Sequence, residues 1–138
     1  MTWKMAQSAA HAMLDAIETD LGASPVLYLR SGSPPTNVGD ADSGTLISTI
    51  AMAADAFSAA ASWEKAIPGA LQDASADNAG TLGHWRIKTN GGTTKHQGTI
   101  TATGGGGDME VDNTSVTAGQ QIDVTSFKFV FPTANRGA

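Results

Sequence analysis

The chain has no cysteine. That excludes disulfides, thiolate metal sites and cysteine nucleophiles. Charge is also scarce: Asp, Glu, Lys and Arg make up 15% of the 138 residues, against about 25% in an ordinary soluble domain. Eight Lys and Arg stand against thirteen Asp and Glu, for a formal net charge of -5. The cations are dispersed, so no basic stripe exists to neutralise phosphates, and nucleic acid is not an expected partner. Aromatic residues are 6%, and no aromatic-rich groove for sugar cleavage is evident. No stretch approaches the ~18 apolar residues of a membrane helix, so no membrane partner is expected. The opening residues Met1 to Gln7 lack an apolar core ahead of a cleavage site, and the expectation is folding in a cytoplasm.

What is present is 41% hydrophobic residues, filled out with Ala, Gly, Ser and Thr. Such a chain is not compositionally disordered, and its length fits one domain spanning residues 1–138. A surface low in charge and rich in small residues suits close contact between subunits. It suits any compact β protein equally.

Ala10, Met13, Leu14, Ile17 and Leu21 follow the spacing of one apolar helix face. Gly22 stands where a helix end favours positive φ, and Pro25 prevents resumption. The spacing predicts a helix near residues 5–21. Beyond it the period changes. Val26 to Arg30 and Thr45 to Met52 read as strands, separated by a loop from Thr36 to Ser43. Two short strands are expected around 56–59 and 63–67, with Ala-rich helix as the competing reading. Leu82 to Lys88 alternates, with Trp85 and Ile87 on one face and His84, Arg86 and Lys88 on the other. Asn90-Gly91 predicts a tight hairpin turn leading to a return strand, Thr94 to Thr103. Gly104, Gly105, Gly106 and Gly107 read as a flexible loop, followed by a short strand with Met109 and Val111 inward. In Gln121 to Phe131 the apolar residues change parity, from Ile122 and Val124 to Phe127, Phe129 and Phe131. That predicts a bulge near Thr125-Ser126. The sum is a mainly β fold: a β-sandwich of about eight short strands, with the jelly roll as one form of it, and an N-terminal α-helix.

Chemistry is hard to find in this sequence. His11 has no partner at i+4. His84 and His96 lie on opposite arms of the expected hairpin, where a metal pair and a polar cross-strand pair are the two readings, and the second is preferred. Asp108, Glu110 and Asp112 alternate and so share one strand face. Calcium uses such oxygens, while a solvated face that repels edge pairing uses the same pattern. Asp40 to Gly44 lacks the third spaced ligand and closing Glu of a calcium loop. The glycines at 104–107 are not followed by the Lys of a phosphate-binding loop. Ser62 to Lys65 fits S-x-x-K without the companion motifs. The expectation is no catalytic residue, no metal ligand and no cofactor. Trp3 and Met5 precede the helix, in a segment that frays unless it docks. The candidate interface residues are therefore Trp3, Met5, Met13 and the loop Gly104 to Gly107.

The order of motifs carries a resemblance. The helix with Met13-Leu14-Asp15-Ala16-Ile17 precedes Leu27-Tyr28-Leu29-Arg30 and Ser31-Gly32-Ser33-Pro34-Pro35. Ser43-Gly44-Thr45-Leu46 follows, then Ala79 to Ile87, Gln97-Gly98-Thr99-Ile100, Asp112 to Val116, and Ala118-Gly119-Gln120 leading to Val124-Thr125-Ser126-Phe127. This resembles small structural proteins of tailed-bacteriophage virions, over residues 10 to 131 and least in 53–75. Within that group the leaning is to a capsid cement, or decoration, protein. The resemblance implies a compact β-sandwich on the capsid exterior, made in the host cytoplasm, that bridges neighbouring copies of the major capsid protein and self-associates as a dimer or trimer. A tail, neck or fibre component is the second expectation. A carbohydrate- or calcium-binding adhesion module is the third, and an enzyme comes last.

Overall fold

The computed structural model describes residues 3–137. Among these residues one α-helix, α1 (Gln7–Leu21), precedes nine strands: β1 (Val26–Ser31), β2 (Leu46–Ala51), β3 (Glu64–Ala66), β4 (Leu71–Asp73), β5 (Gly80–Lys88), β6 (Thr94–Ala102), β7 (Met109–Val111), β8 (Ser115–Val116) and β9 (Ile122–Val130). The strands run β2-β1-β5-β6-β7-β9-β3, with β4 also on β9 and β8 on β5. The sheet curls until its ends meet: β2 contacts β4, and the Ser48 hydroxyl donates to Asp73. The fold is mainly β, a curled sheet closing like a half-barrel or sandwich with a helix at its N-terminal end.

The inner face collects Leu27, Leu29, Ile47, Ile87, Met109, Val111 and Ile122, all fully buried. Period-2 alternation places these residues inward from successive strands, and their burial is the main term holding the sheet closed. Trp85, 3% exposed, lies across Gly98 of the neighbouring strand, its direct register partner. A Cβ at Gly98 would sit 2.8 Å from the indole. Glycine here makes room for a ring that fills the space of two side chains.

The polar face of β5 is also buried, which alternation alone does not indicate. His84 and Arg86 are 0% and 1% exposed, because the loop between β1 and β2 folds over them. Arg86 donates to the carbonyls of Asp40 and Val38 and to the Asp42 carboxylate. His84 Nδ1 lies 2.9 Å from the Gly32 carbonyl oxygen. Asp42 also pairs with Arg30 and Lys88. Burial alone would raise its carboxyl; hydrogen bonds from Lys88 and Arg86 and the charge of Arg30 outweigh that and hold it below the usual carboxylate range. Asp42 thus serves as the latch of a cover.

Several expectations are corrected. The helix begins at Gln7, not residue 5, because Met5 forms a β-bridge with Arg136 and Ala6 is extended. On α1, Ala10, Leu14 and Leu21 are buried while Met13 is 54% exposed. Residues 56–59 form no strand; the pieces are 64–66 and 71–73, and Phe57 is buried from a loop. The connection after β5 is a five-residue loop of type I character. Thr89 N–H bonds to the Thr93 carbonyl, and Gly92, at φ 95°, takes the left-handed position rather than Asn90 or Gly91. The bulge in β9 falls where the parity change puts it. Val111 pairs with Val124 and Glu110 with Ser126, so Thr125 is the extra residue.

The four glycines are the largest revision. They do not form a flexible tip but a tight connection between the parallel strands β6 and β7. Gly104 and Gly106 have φ of 86° and 80°. A Cβ on Gly105 or Gly107 would come within 2.7 or 2.9 Å of Thr101. The chain must leave β6 at Ala102 and return beside Ile100 by residue 109, which requires this close self-approach.

Candidate docking site

The strongest surface feature is an apolar cleft between α1 and the end of β9. α1 supplies Met13, Leu14 and Ile17, β9 and its continuation supply Val130 and Phe131, and the N-terminal arm supplies Trp3. The cleft holds about 460 Å³. Its rim carries three of the four large exposed apolar side chains among the described residues: Trp3 at 57%, Met13 at 54% and Val130 at 47%.

Local structure explains the assembly of this wall. The arm is tied down by backbone. Met5 N–H donates to the Asn135 carbonyl, and Gly137 N–H donates to that of Met5. Lys4 reaches the Ala134 carbonyl, and the Asn135 amide reaches that of Trp3. The indole of Trp3 meets Phe131 edge-on, at 6.4 Å between centroids. Trp63 backs Phe131 from the other side at 5.8 Å. It sits at the second position of a two-residue turn in which Ser62 and Trp63 have φ of 51° and 67°. Ala61 and Glu64 exchange both backbone hydrogen bonds across it. Left-handed backbone at Ser and Trp costs roughly 1–2 kcal/mol per residue. The Trp63 N–H donates to His11 Nε2 at 3.1 Å, and Arg136 lies 5.6 Å from the indole centroid. The strained turn thereby braces the cleft against α1.

α1 itself is anchored by charge. Lys65 of β3 is 2% exposed and pairs with Asp15 and Glu18, each at 2.8 Å. A hydrogen bond from Lys65 lowers the Asp15 carboxyl, assisted by the Ala60 N–H. Burial acts to raise Glu18, but Lys65 and the Phe57 N–H win and lower it. Burial acts to lower Lys65 and its two carboxylates raise it. Sharing a proton with Glu18 raises the Asp55 carboxyl, and that neighbour's charge adds to the effect. These groups fix the rotation of the helix, and so the direction in which Met13 points.

The candidate interface residues therefore divide. Trp3 and Met13 come together on one cleft. Met5 is half-buried behind it, packed with Ala10, Leu14 and Phe131. Gly104 to Gly107 do not line the cleft. Val130, Phe131 and Ile17 are members that the sequence reading left out. The exposed edge position of Val130 next to a buried Phe is the signal that was available in the alternation.

The remaining sequence candidates have structural partners. His84 and His96 lie on opposite faces: His84 under the loop, His96 against Phe129 at 5.0 Å between rings. Burial lowers both imidazoles below their usual range, with Arg30 and Arg86 adding to the effect at His84. Asp108 accepts the Thr99 N–H, Glu110 that of Gly106 and Asp112 that of Asp123. Among the described residues no group of three or more His, Asp or Glu is disposed to hold a metal ion. No helix among them is long and apolar enough to cross a membrane. Comparison with known protein families, with curated proteins and with solved structures gives no match to this chain.

Proposed function

We propose that the chain is a non-enzymatic structural subunit of a tailed-bacteriophage virion, seated on the capsid exterior and stabilising contacts between major capsid subunits. The observation that carries this reading is the braced apolar cleft of Trp3, Met13, Val130 and Phe131. An exposed tryptophan and methionine over a preformed cleft are the residue types that anchor protein–protein contacts. Copies of the chain associating as a dimer or trimer would draw on the same apolar surface. Cementing of this kind needs no chemistry. Apolar area withdrawn from water contributes about 25 cal/mol per Å², before the cost of association, at every seam the subunit spans. The acidic balance, -5 overall, supports an outer position over one against packaged DNA.

The test is binding to expanded phage shells stripped of their outer proteins. The purified chain is expected to co-sediment with the shells and raise the temperature at which they break. Trp3→Ala, exposed and outside the sheet, should leave the circular dichroism spectrum unchanged. It should weaken binding about 30-fold, the loss of ~2 kcal/mol usual for an anchoring aromatic. A chain that stays in the supernatant, or a Trp3→Ala variant that binds as tightly as the parent, overturns the reading.

A further inference from the structure

β7 is three residues long, yet it lies between two nine-residue strands, β6 and β9. Met109 sits level with Ile100 on one side and Phe127 on the other. With strands ~4.8 Å apart, β6 and β9 flank β7 at about two strand spacings. Before Met109 the chain turns out of the sheet, but the flanking strands run on. β6 continues toward Thr94 and β9 toward Val130, and among the described residues no strand lies between them. The result is a slot of about 490 Å³, lined by His96, Gln97, Asp108, Phe127, Lys128 and Phe129, with Trp85 beneath.

Backbone alternation shows what the slot walls carry. Phe131 N–H donates to the Trp63 carbonyl, and Phe129 is the register partner of Lys65. Odd positions of this stretch therefore bond toward β3. Lys128 and Val130 turn their N–H and C=O groups the other way, into the slot. On the opposite wall the Thr99 N–H is accepted by Asp108, and Thr103 N–H donates to Val111. Odd positions of β6 thus face β7, and Gln97 presents its backbone groups to the slot. Among the described residues the N–H and C=O groups of Gln97, Lys128 and Val130 have no partner across the slot. Below them the Trp85 indole N–H is buried without a hydrogen-bond acceptor. Buried donors are almost always satisfied, so an orphan of this kind calls for an explanation.

We infer that the slot between β6 and β9 accepts an extended peptide strand from a partner protein, which completes the sheet by continuing the line of β7. The occupant runs parallel to β6 and antiparallel to β9, as β7 does. Its backbone pairs with Gln97 on one side and with Lys128 and Val130 on the other. Its inward side chains are apolar and lie over Phe127 and Phe129, while alternate residues face solvent beside Lys128. Main-chain bonds supply affinity and the aromatic floor supplies selection, as in other strand-addition sites. This inference does not depend on the capsid reading: the slot and the Trp3 cleft meet at Phe129 and Val130, but of the two only the cleft is lined by Trp3 and Met13 and only the slot by Gln97 and Lys128, so different residues report on each.

The probe is a capped hexapeptide of alternating valine and threonine, with the same peptide N-methylated at alternate residues as control. Amide hydrogen exchange and nitrogen–proton correlation spectra are recorded on the full chain. In the free protein the Lys128 and Val130 amides should exchange faster than those of Phe129 and Phe131. Saturating peptide should slow both about tenfold and move the Trp85 indole signal, and the methylated peptide should do neither. Lys128→Pro removes one slot donor without touching the backbone bonds to β3 or the lining of the Trp3 cleft; apart from the exposed Glu64 pair it should keep the parent spectrum elsewhere and lose the peptide response. The inference is overturned if Lys128 and Val130 are as protected as Phe129 in the free protein. It is equally overturned if the peptide moves no slot amide, or perturbs only Trp3 and Met13. Should the proline variant fail to fold, the exchange rates of the parent chain still decide.

Discussion

Individual positions in this protein are constrained most where two groups compete for one space. Gly98 faces Trp85 across the β5–β6 ladder. A methyl group there would sit 2.8 Å from the indole and equally close to the Asp108 carboxylate. Gly98→Ala should therefore destabilise the fold by about 1–3 kcal/mol, the usual cost of overpacking a close contact. The check is a lower denaturant midpoint with an unchanged slope. A neutral substitution would mean that the indole is free to move aside. The same scale explains the buried polar face of β5. Arg86 is almost wholly enclosed, yet its guanidinium meets one carboxylate and two carbonyls, and a buried charge so partnered is tolerated. The sequence exposes the alternation of His84, Arg86 and Lys88. It does not reveal the cover, because the bonds come from residues more than forty positions away.

At the scale of elements, short pieces owe their conformation to neighbours rather than to their own preferences. α1 has no side-chain N-cap and no acidic residue in its first turn. Its stability rests on packing through Ala10, Leu14 and Leu21 and on the ion pairs to Lys65. The Ala-rich stretch before β3 has the propensity for helix, but Phe57 is drawn into the core and the backbone follows. The turn at Ser62-Trp63 runs against propensity outright. A two-residue hairpin with both φ positive favours Asn-Gly, not Ser-Trp. Ser62→Gly should remove part of this strain and raise stability by up to about 1 kcal/mol. A higher melting temperature would support that account. An unchanged or lower one would mean that the serine side chain repays the strain locally. Trp63 is not expected to tolerate glycine, because its ring supports Phe131.

The whole molecule should register pH in two stages. The folded state lowers the imidazoles of His84 and His96, so the unfolded chain binds protons first as the solution acidifies. Stability contributed by their neutrality is complete above about pH 6.5 and is lost as pH falls from there toward their folded values. Asp15, Glu18 and Asp42 are also lowered. Their contribution is present above the ordinary carboxylate range and disappears as pH falls through their folded values. Asp55 is raised and acts in the opposite sense: its contribution is present at low pH and is lost as pH rises through its folded value. Urea midpoints measured from pH 8 to pH 3 should fall first below about pH 6.5 and again below about pH 4. A flat profile between pH 7.5 and 5 would contradict the assigned burial of the two histidines.

Sequence alone determined those features that repeat along the chain at short range. The helix stop at Gly22, the alternating strands, the parity change in β9 and the mainly β class all follow from local stereochemistry and the period of apolar residues. Tertiary structure decided what depends on distant chain segments meeting. Met13 left the buried face because α1 turns Ala10, Leu14 and Leu21 inward and is held at that rotation by the pairs from Lys65 to Asp15 and Glu18. The four glycines became a tight crossover because β6 and β7 run parallel. The slot beside β7 exists because β6 and β9 outrun a three-residue neighbour. Periodicity records which way a side chain points, but not which remote backbone comes to meet it, since loop closure leaves no mark in the residues it joins.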